Sequence, residues 1–108
     1  MGKASRDKGA RRERQIVAEH IALGIWAERV PLSGAMKYQG GGHDVDVYAF
    51  GKNETPLIAE VKGRKAFPVW LGGYLGQNDA LFLIADRDEP LVVLPWKTWA
   101  KLLRKIAA

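Results

Sequence analysis

Residues 43–63 read HDVDVYAFGKNETPLIAEVKG, and the fold turns on this stretch. Asp44, Asp46 and Tyr48 alternate with Val45, Val47 and Ala49, the period of two that sends successive side chains to opposite faces of a strand. Gly51 to Pro56 is turn chemistry and Leu57 to Lys62 supplies a second strand, so the segment predicts a β-hairpin. Glu60 and Lys62 are two apart and would leave one face of that strand. If the hairpin pairs about its turn, Asp44 and Asp46 lie beside Glu60. Two charges on a strand otherwise built of Leu57, Ile58, Ala59 and Val61 are costly unless their face is solvated or forms a site. Two readings follow. One is a convergence of carboxylates next to a lysine, an oxygen-rich pocket suited to Mg²⁺ or Mn²⁺ rather than zinc. The other is an amphipathic edge hairpin with cross-strand ion pairs.

Upstream, Ile16, Val17, His20, Ile21 and Leu23 recur at helical spacing from about Lys8, and Gly24 stands where a C-terminal cap belongs. Ile25 to Leu32 reads as a strand ending near Pro31, and Ser33 to His43 as a loop holding Gly40, Gly41 and Gly42. Downstream, Phe67 to Gln77 predicts a short helix weakened by Gly72, Gly73 and Gly76. Leu81 to Ala85 and Leu91 to Leu94 are apolar runs joined by a polar turn, Asp86 to Pro90. Pro95 then opens a last helix whose Trp96, Trp99, Leu103 and Ile106 form one stripe. The order is αβββαββα, an α+β domain with a small mixed sheet, flexible over residues 1–7 and forming one domain over 8–108.

The 108 residues leave room for one core. Cysteine is absent, which excludes disulfide frameworks, thiolate zinc sites and cysteine nucleophiles. No apolar run reaches the roughly 18–20 residues of a membrane span, and the charged N-terminus lacks the apolar core of a secretory signal. A soluble, intracellular protein is expected. The 17 Lys and Arg against 12 Asp and Glu give a net charge of +5, and the distribution is more informative than the total. Lys3, Arg6, Lys8, Arg11, Arg12 and Arg14 face only Asp7 and Glu13 over residues 1–14, while Lys97, Lys101, Arg104 and Lys105 close the chain without an acid. Between these ends, Asp44, Asp46, Glu54 and Glu60 outweigh Lys52. Basic flanks suit a polyanion; an acidic centre repels one unless a divalent cation bridges the two. Nucleotide-loop readings fail, because Gly51-Lys52 lacks an upstream glycine loop and Gly72 to Gly76 follows no clear strand.

Glu13 precedes Ile16, Val17 and His20 by three, four and seven positions, so it shares their core-directed stripe. A carboxylate there calls for a metal or a nearby basic group.

These residues carry a resemblance. Lys8-Gly9-Ala10-Arg11-Arg12-Glu13-Arg14, Ser33-Gly34, Asp46-Val47-Tyr48-Ala49 and Glu60-Val61-Lys62-Gly63-Arg64-Lys65 resemble, in order and separation, the motifs of archaeal-type Holliday junction resolvases of the PD-(D/E)xK nuclease superfamily. The resemblance spans about residues 8–66. It implies a restriction-endonuclease-like αβββαβ core, a small mixed central sheet flanked by helices, with a C-terminal helix. It also implies catalytic roles for Glu13, Asp46, Glu60, Lys62 and Ser33. Asp46, Glu60, the Val61 carbonyl and Glu13 would hold Mg²⁺, with Mn²⁺ as an alternative. Lys3, Arg6, Lys8, Arg11, Arg12, Arg14, Arg64 and Lys65 would contact DNA.

The implied function is paired, symmetric hydrolysis of a four-way DNA junction by a homodimer, in the cytoplasm of a prokaryotic or phage-infected cell. Trp70, Tyr74, Trp96 and Trp99 are candidates for the dimer interface or for the core. The alternatives are a nicking, repair or restriction-like nuclease, and a DNA-binding protein that keeps the fold without cutting. The chain departs from the family pattern at Val45, where the superfamily motif has proline, in carrying Asp44 as an additional acid, and in Gln77, which falls late in the following helix.

Overall fold

The computed structural model describes residues 3–31 and 42–107, with side chains from Asp7 onward. Its elements are α1 (Lys3–Ala22), β1 (Ala27–Arg29), β2 (Val45–Val47), β3 (Leu57–Ala59), α2 (Val69–Leu75), β4 (Leu81–Leu83), β5 (Leu91–Val93) and α3 (Trp96–Ala107). The αβββαββα order matches the sequence reading, and the architecture is α+β. Two compact units result, one of residues 1–63 and 103–108, the other of residues 64–102.

In the first unit, α1 starts at Lys3, ahead of the position its apolar spacing predicts. It stops where the sequence indicates. The Ile25 N–H donates to the His20 carbonyl (3.0 Å) and the Gly24 N–H to the Ile21 carbonyl (2.9 Å), with Gly24 at φ +84°. These paired bonds form a Schellman cap, whose left-handed residue is most readily glycine. Along the helix His20 is buried, and its Nδ1 donates to the Ile16 carbonyl at 2.7 Å. Ile21, expected on the apolar stripe, is 44% exposed.

The cap delivers Ile25 and Ala27 into the core, and β1, β2 and β3 pair in that order, all antiparallel. Ala27, Val45, Val47 and Ala49 are buried, while Glu28 and Ile58 are exposed and Asp46 is half-buried. The period-two reading therefore holds over residues 45–50, with the valines facing inward, and breaks at Asp44, which is buried beside Val45. The burial of one apolar face fixes the register, since a slip of one residue would turn every valine to solvent. Leu103 of α3 is also buried in this unit.

The strands are shorter than the sequence predicts. β3 ends at Ala59, so Glu60 and Lys62 lie beyond the ladder rather than on it. The cause is a slip: residues 45–47 pair with 57–59 in regular register, but the Asp44 N–H donates to the Ala59 carbonyl at 2.9 Å. That bond is one residue out of step, and pairing does not continue to Glu60.

In the second unit, Pro68 starts α2, its carbonyl accepting from the Leu71 and Gly72 N–H groups. Gly76 ends it at φ +47°, inside the Phe67–Gln77 span predicted. β4 and β5 form an antiparallel hairpin with Leu81 opposite Val93 and Leu83 opposite Leu91. Their Asp86–Pro90 connection includes Arg87 at φ +67°. Pro95 opens α3 as expected, accepting from the Thr98 and Trp99 N–H groups. The small mixed sheet of the sequence reading is replaced, among the described residues, by two antiparallel ladders of three and two strands. The β2–β3 and β4–β5 connections lack the dozen or so residues that a parallel crossover needs. Among the described residues, no helix is long and apolar enough to cross a membrane.

Candidate active site

The carboxylate groups sit where the first unit's sheet ends. Glu13 is buried in α1, and its Oε1 accepts a hydrogen bond from Arg29 Nε at 3.0 Å. Arg29 is the last residue of β1 and lies on the same face as Ala27, the side on which α1 packs. The partner that the Glu13 position calls for is therefore this guanidinium. Arg29 was not singled out by the sequence motifs. Its parity with the buried Ala27 was the available signal.

Asp46 occupies the middle of β2, opposite Glu28 on one neighbour and Ile58 on the other. Its Oδ1 accepts from His43 Nε2 at 2.5 Å. Alternation sends Asp46 away from the Val45 and Val47 side. Asp46 and Glu13 thus start from opposite faces of the sheet. On the Asp46 face, the Tyr48 hydroxyl donates to Glu28 Oε1 at 3.1 Å. That bond raises the phenol's pKa above its ordinary value, with smaller contributions from desolvation and from the negative charges of Glu28 and Asp46.

Asp44 departs from the expected pattern. It is 4% exposed, and its Oδ2 accepts from the Val61 N–H at 2.7 Å. Glu60 and Lys62 are exposed on either side of that anchored residue. Helix and hairpin meet just beyond: the Arg12 side chain lies so close over Gly63 that a Cβ there would collide with its guanidinium and Cδ. The chain that follows the Glu-x-Lys segment therefore passes under a side chain carried by the same helical turn as Glu13.

Among the described residues no three His, Asp or Glu side chains are gathered closely enough to hold a metal ion. The donor chemistry nevertheless suits a hard cation, since Asp46 and Glu60 offer carboxylate oxygens and Val61 a backbone carbonyl. Of the expected DNA contacts, Lys8, Arg11 and Arg14 are exposed at successive steps of three along α1, Arg12 is half-buried against Gly63, and Arg64 and Lys65 are exposed. Lys3 and Arg6 lie in α1 with side chains that are not described, and Ser33 lies outside the described residues. A cleft of about 470 Å³ lined by Ile21, Ile25, Trp26, Phe50, Lys52 and Ile106 contains none of the acids. Lys52 Nζ sits 4.5 Å over the Trp26 ring there, a cation–π contact.

Comparison with protein-family models, curated proteins and solved structures gave no match.

Proposed function

We propose that this protein is a divalent-metal-dependent endodeoxyribonuclease of the PD-(D/E)xK type, its nuclease domain spanning residues 8–108, that resolves four-way DNA junctions. The observation that carries the reading is the contact of the Arg12 side chain of α1 with the segment that follows β3. Gly63, directly after Glu60-Val61-Lys62, lies under the Arg12 side chain, the segment follows the strand paired with that of Asp46, and the Val61 N–H is held by a buried acid. Acids in the same unit as the exposed cations of α1 are the charge arrangement that a metal-bridged phosphate requires.

Asp46, Glu60 and the Val61 carbonyl would hold Mg²⁺ or Mn²⁺; Glu13, paired with Arg29 on the other face of the sheet, would reach that ion only around the end of the sheet, through water. Bound there, the ion would lower the pKa of a water and neutralise charge developing on the scissile phosphate. His43 holds Asp46 in one orientation, and Arg29 does the same for Glu13. Lys62, exposed and two residues from Glu60, supplies a fixed positive charge to orient the attacking water and stabilise the phosphorane-like transition state. Lys8, Arg11, Arg12 and Arg14, with Lys3 and Arg6, bind backbone phosphates, contacts that read the shape of branched DNA rather than its sequence. Two symmetric cuts need two sites, hence a C2 homodimer. The exposed Trp70 and Tyr74 are the aromatic type that such an interface favours.

One observation favours a second reading, a DNA-binding protein that does not cut: Glu13 and Asp46 already have protein partners in Arg29 and His43. Incubation with matched four-way, flap and linear duplexes, in Mg²⁺ or EDTA, separates the possibilities. Paired symmetric nicks confined to the junction and abolished by EDTA support resolution. Cutting of flap or linear DNA supports a repair or restriction-like nuclease. Binding without cutting supports the second reading.

A further inference from the structure

The backbone carrying Glu60, Val61 and Lys62 lies past the end of β3, and the regular register gives way at Asp44. A side chain takes the place of the next rung: the Val61 N–H donates to Asp44 Oδ2 at 2.7 Å, from a residue 4% exposed. A peptide unit is planar, so anchoring the Val61 N–H orients the whole Glu60–Val61 plane. That plane contains the Cα atoms of both residues, so one backbone torsion, ψ of Glu60, remains before the Glu60 Cβ, and two, φ and ψ of Val61, remain before the Val61 carbonyl oxygen. A charge-assisted hydrogen bond in a buried setting is among the stronger ways to fix such a plane. We infer that Asp44 is a positioning residue that holds the Glu60-Val61-Lys62 segment in its working orientation, rather than a further metal ligand. Its effect on turnover rests on the nuclease reading; the hydrogen bond itself does not.

Asparagine at position 44 keeps an acceptor oxygen and loses the charge, whereas alanine loses both. Full-length D44N and D44A are compared by hydrogen exchange at the Val61 amide, by DNA affinity in Ca²⁺, and by single-turnover cleavage in saturating Mg²⁺. D44N should keep Val61 protection and cut within about threefold of wild type. D44A should lose protection and slow about 10- to 100-fold at unchanged DNA affinity, the range for loss of a group that orients a metal ligand. Should D44A not fold, D44S, whose hydroxyl is shorter, replaces it with the same expectation.

A D44N variant as inactive as D46N overturns the assignment, because charge would then be what matters. So does a D44A variant that loses protection but cuts at the wild-type rate. A wild-type chain that cuts no DNA in Mg²⁺ or Mn²⁺ ends the nuclease reading separately, and the Val61 amide then decides alone. Protection kept in D44N and lost in D44A supports the positioning role; protection unchanged in D44A overturns it.

Discussion

Replacing Arg29 with methionine removes the guanidinium that the structure places 3.0 Å from Glu13 while keeping an unbranched side chain of similar reach. The two partners differ in access to water, the Arg29 side chain being 31% exposed and the Glu13 side chain 9%. Arg29 without Glu13 can turn to solvent, whereas Glu13 without Arg29 leaves a carboxylate in the core. Breaking a buried pair from one side costs about 3–5 kcal/mol, and the partial exposure of Arg29 reduces that to about 2–3 kcal/mol. Glu13→Gln keeps the shape and an acceptor for Arg29 Nε, so its cost should be about 1 kcal/mol. The double variant should be more stable than Arg29→Met alone, because the stranded charge has gone. Urea unfolding followed by the fluorescence of the four tryptophans reads this as a midpoint drop of about 1–2 M for Arg29→Met. Mg²⁺ should raise the midpoint of Arg29→Met more than that of wild type if Glu13 also faces the cation. An Arg29→Met midpoint within error of wild type, or a double variant whose loss equals the two single losses combined, would refute the asymmetry argument.

Gly24→Ala should lower stability by about 1–2 kcal/mol, checked by thermal unfolding. The site has open space for a methyl group, so the cost is that of the left-handed backbone alone. Tyr48 should hold its proton to higher pH than an unfolded tyrosine. Its contribution to stability is present below the unfolded pKa and lost as pH rises through the folded one. Ultraviolet titration of wild type against Tyr48→Phe isolates this group, and Glu28→Gln should move its titration down. Junction affinity should fall with salt at a log–log slope of about −5 to −9 if six to ten cations contact phosphate, measured by fluorescence anisotropy; a flat response would argue against phosphate-dominated binding.

The sequence made legible what depends on near neighbours. The alternation of Val45, Val47 and Ala49 gave the inward face of β2, Gly24 gave the end of α1, and the helical position of Glu13 gave its need for a partner. The identity of that partner was not legible, because Arg29 meets Glu13 only when β1 packs against α1. β3 is shorter than its sequence pattern for a related reason. The apolar and charged pattern of Leu57 to Lys62 runs on through Lys62, but the ladder stops where the Asp44 carboxylate competes with the backbone for the Val61 N–H. Periodicity registers which side chains could pair and is blind to a side chain that replaces a rung. Asp44 accordingly looked like a second solvent-facing acid and is instead buried.

The most direct test of the central claim follows Mn²⁺ into the free protein by paramagnetic broadening of backbone amide resonances, which reports weak binding without requiring turnover. The Asp46, Val61 and Lys62 amides should broaden first, and Asp46→Asn or Glu60→Gln should remove the effect. Broadening centred instead on the acidic Asp86–Glu89 turn, or unchanged in both variants, would contradict that claim.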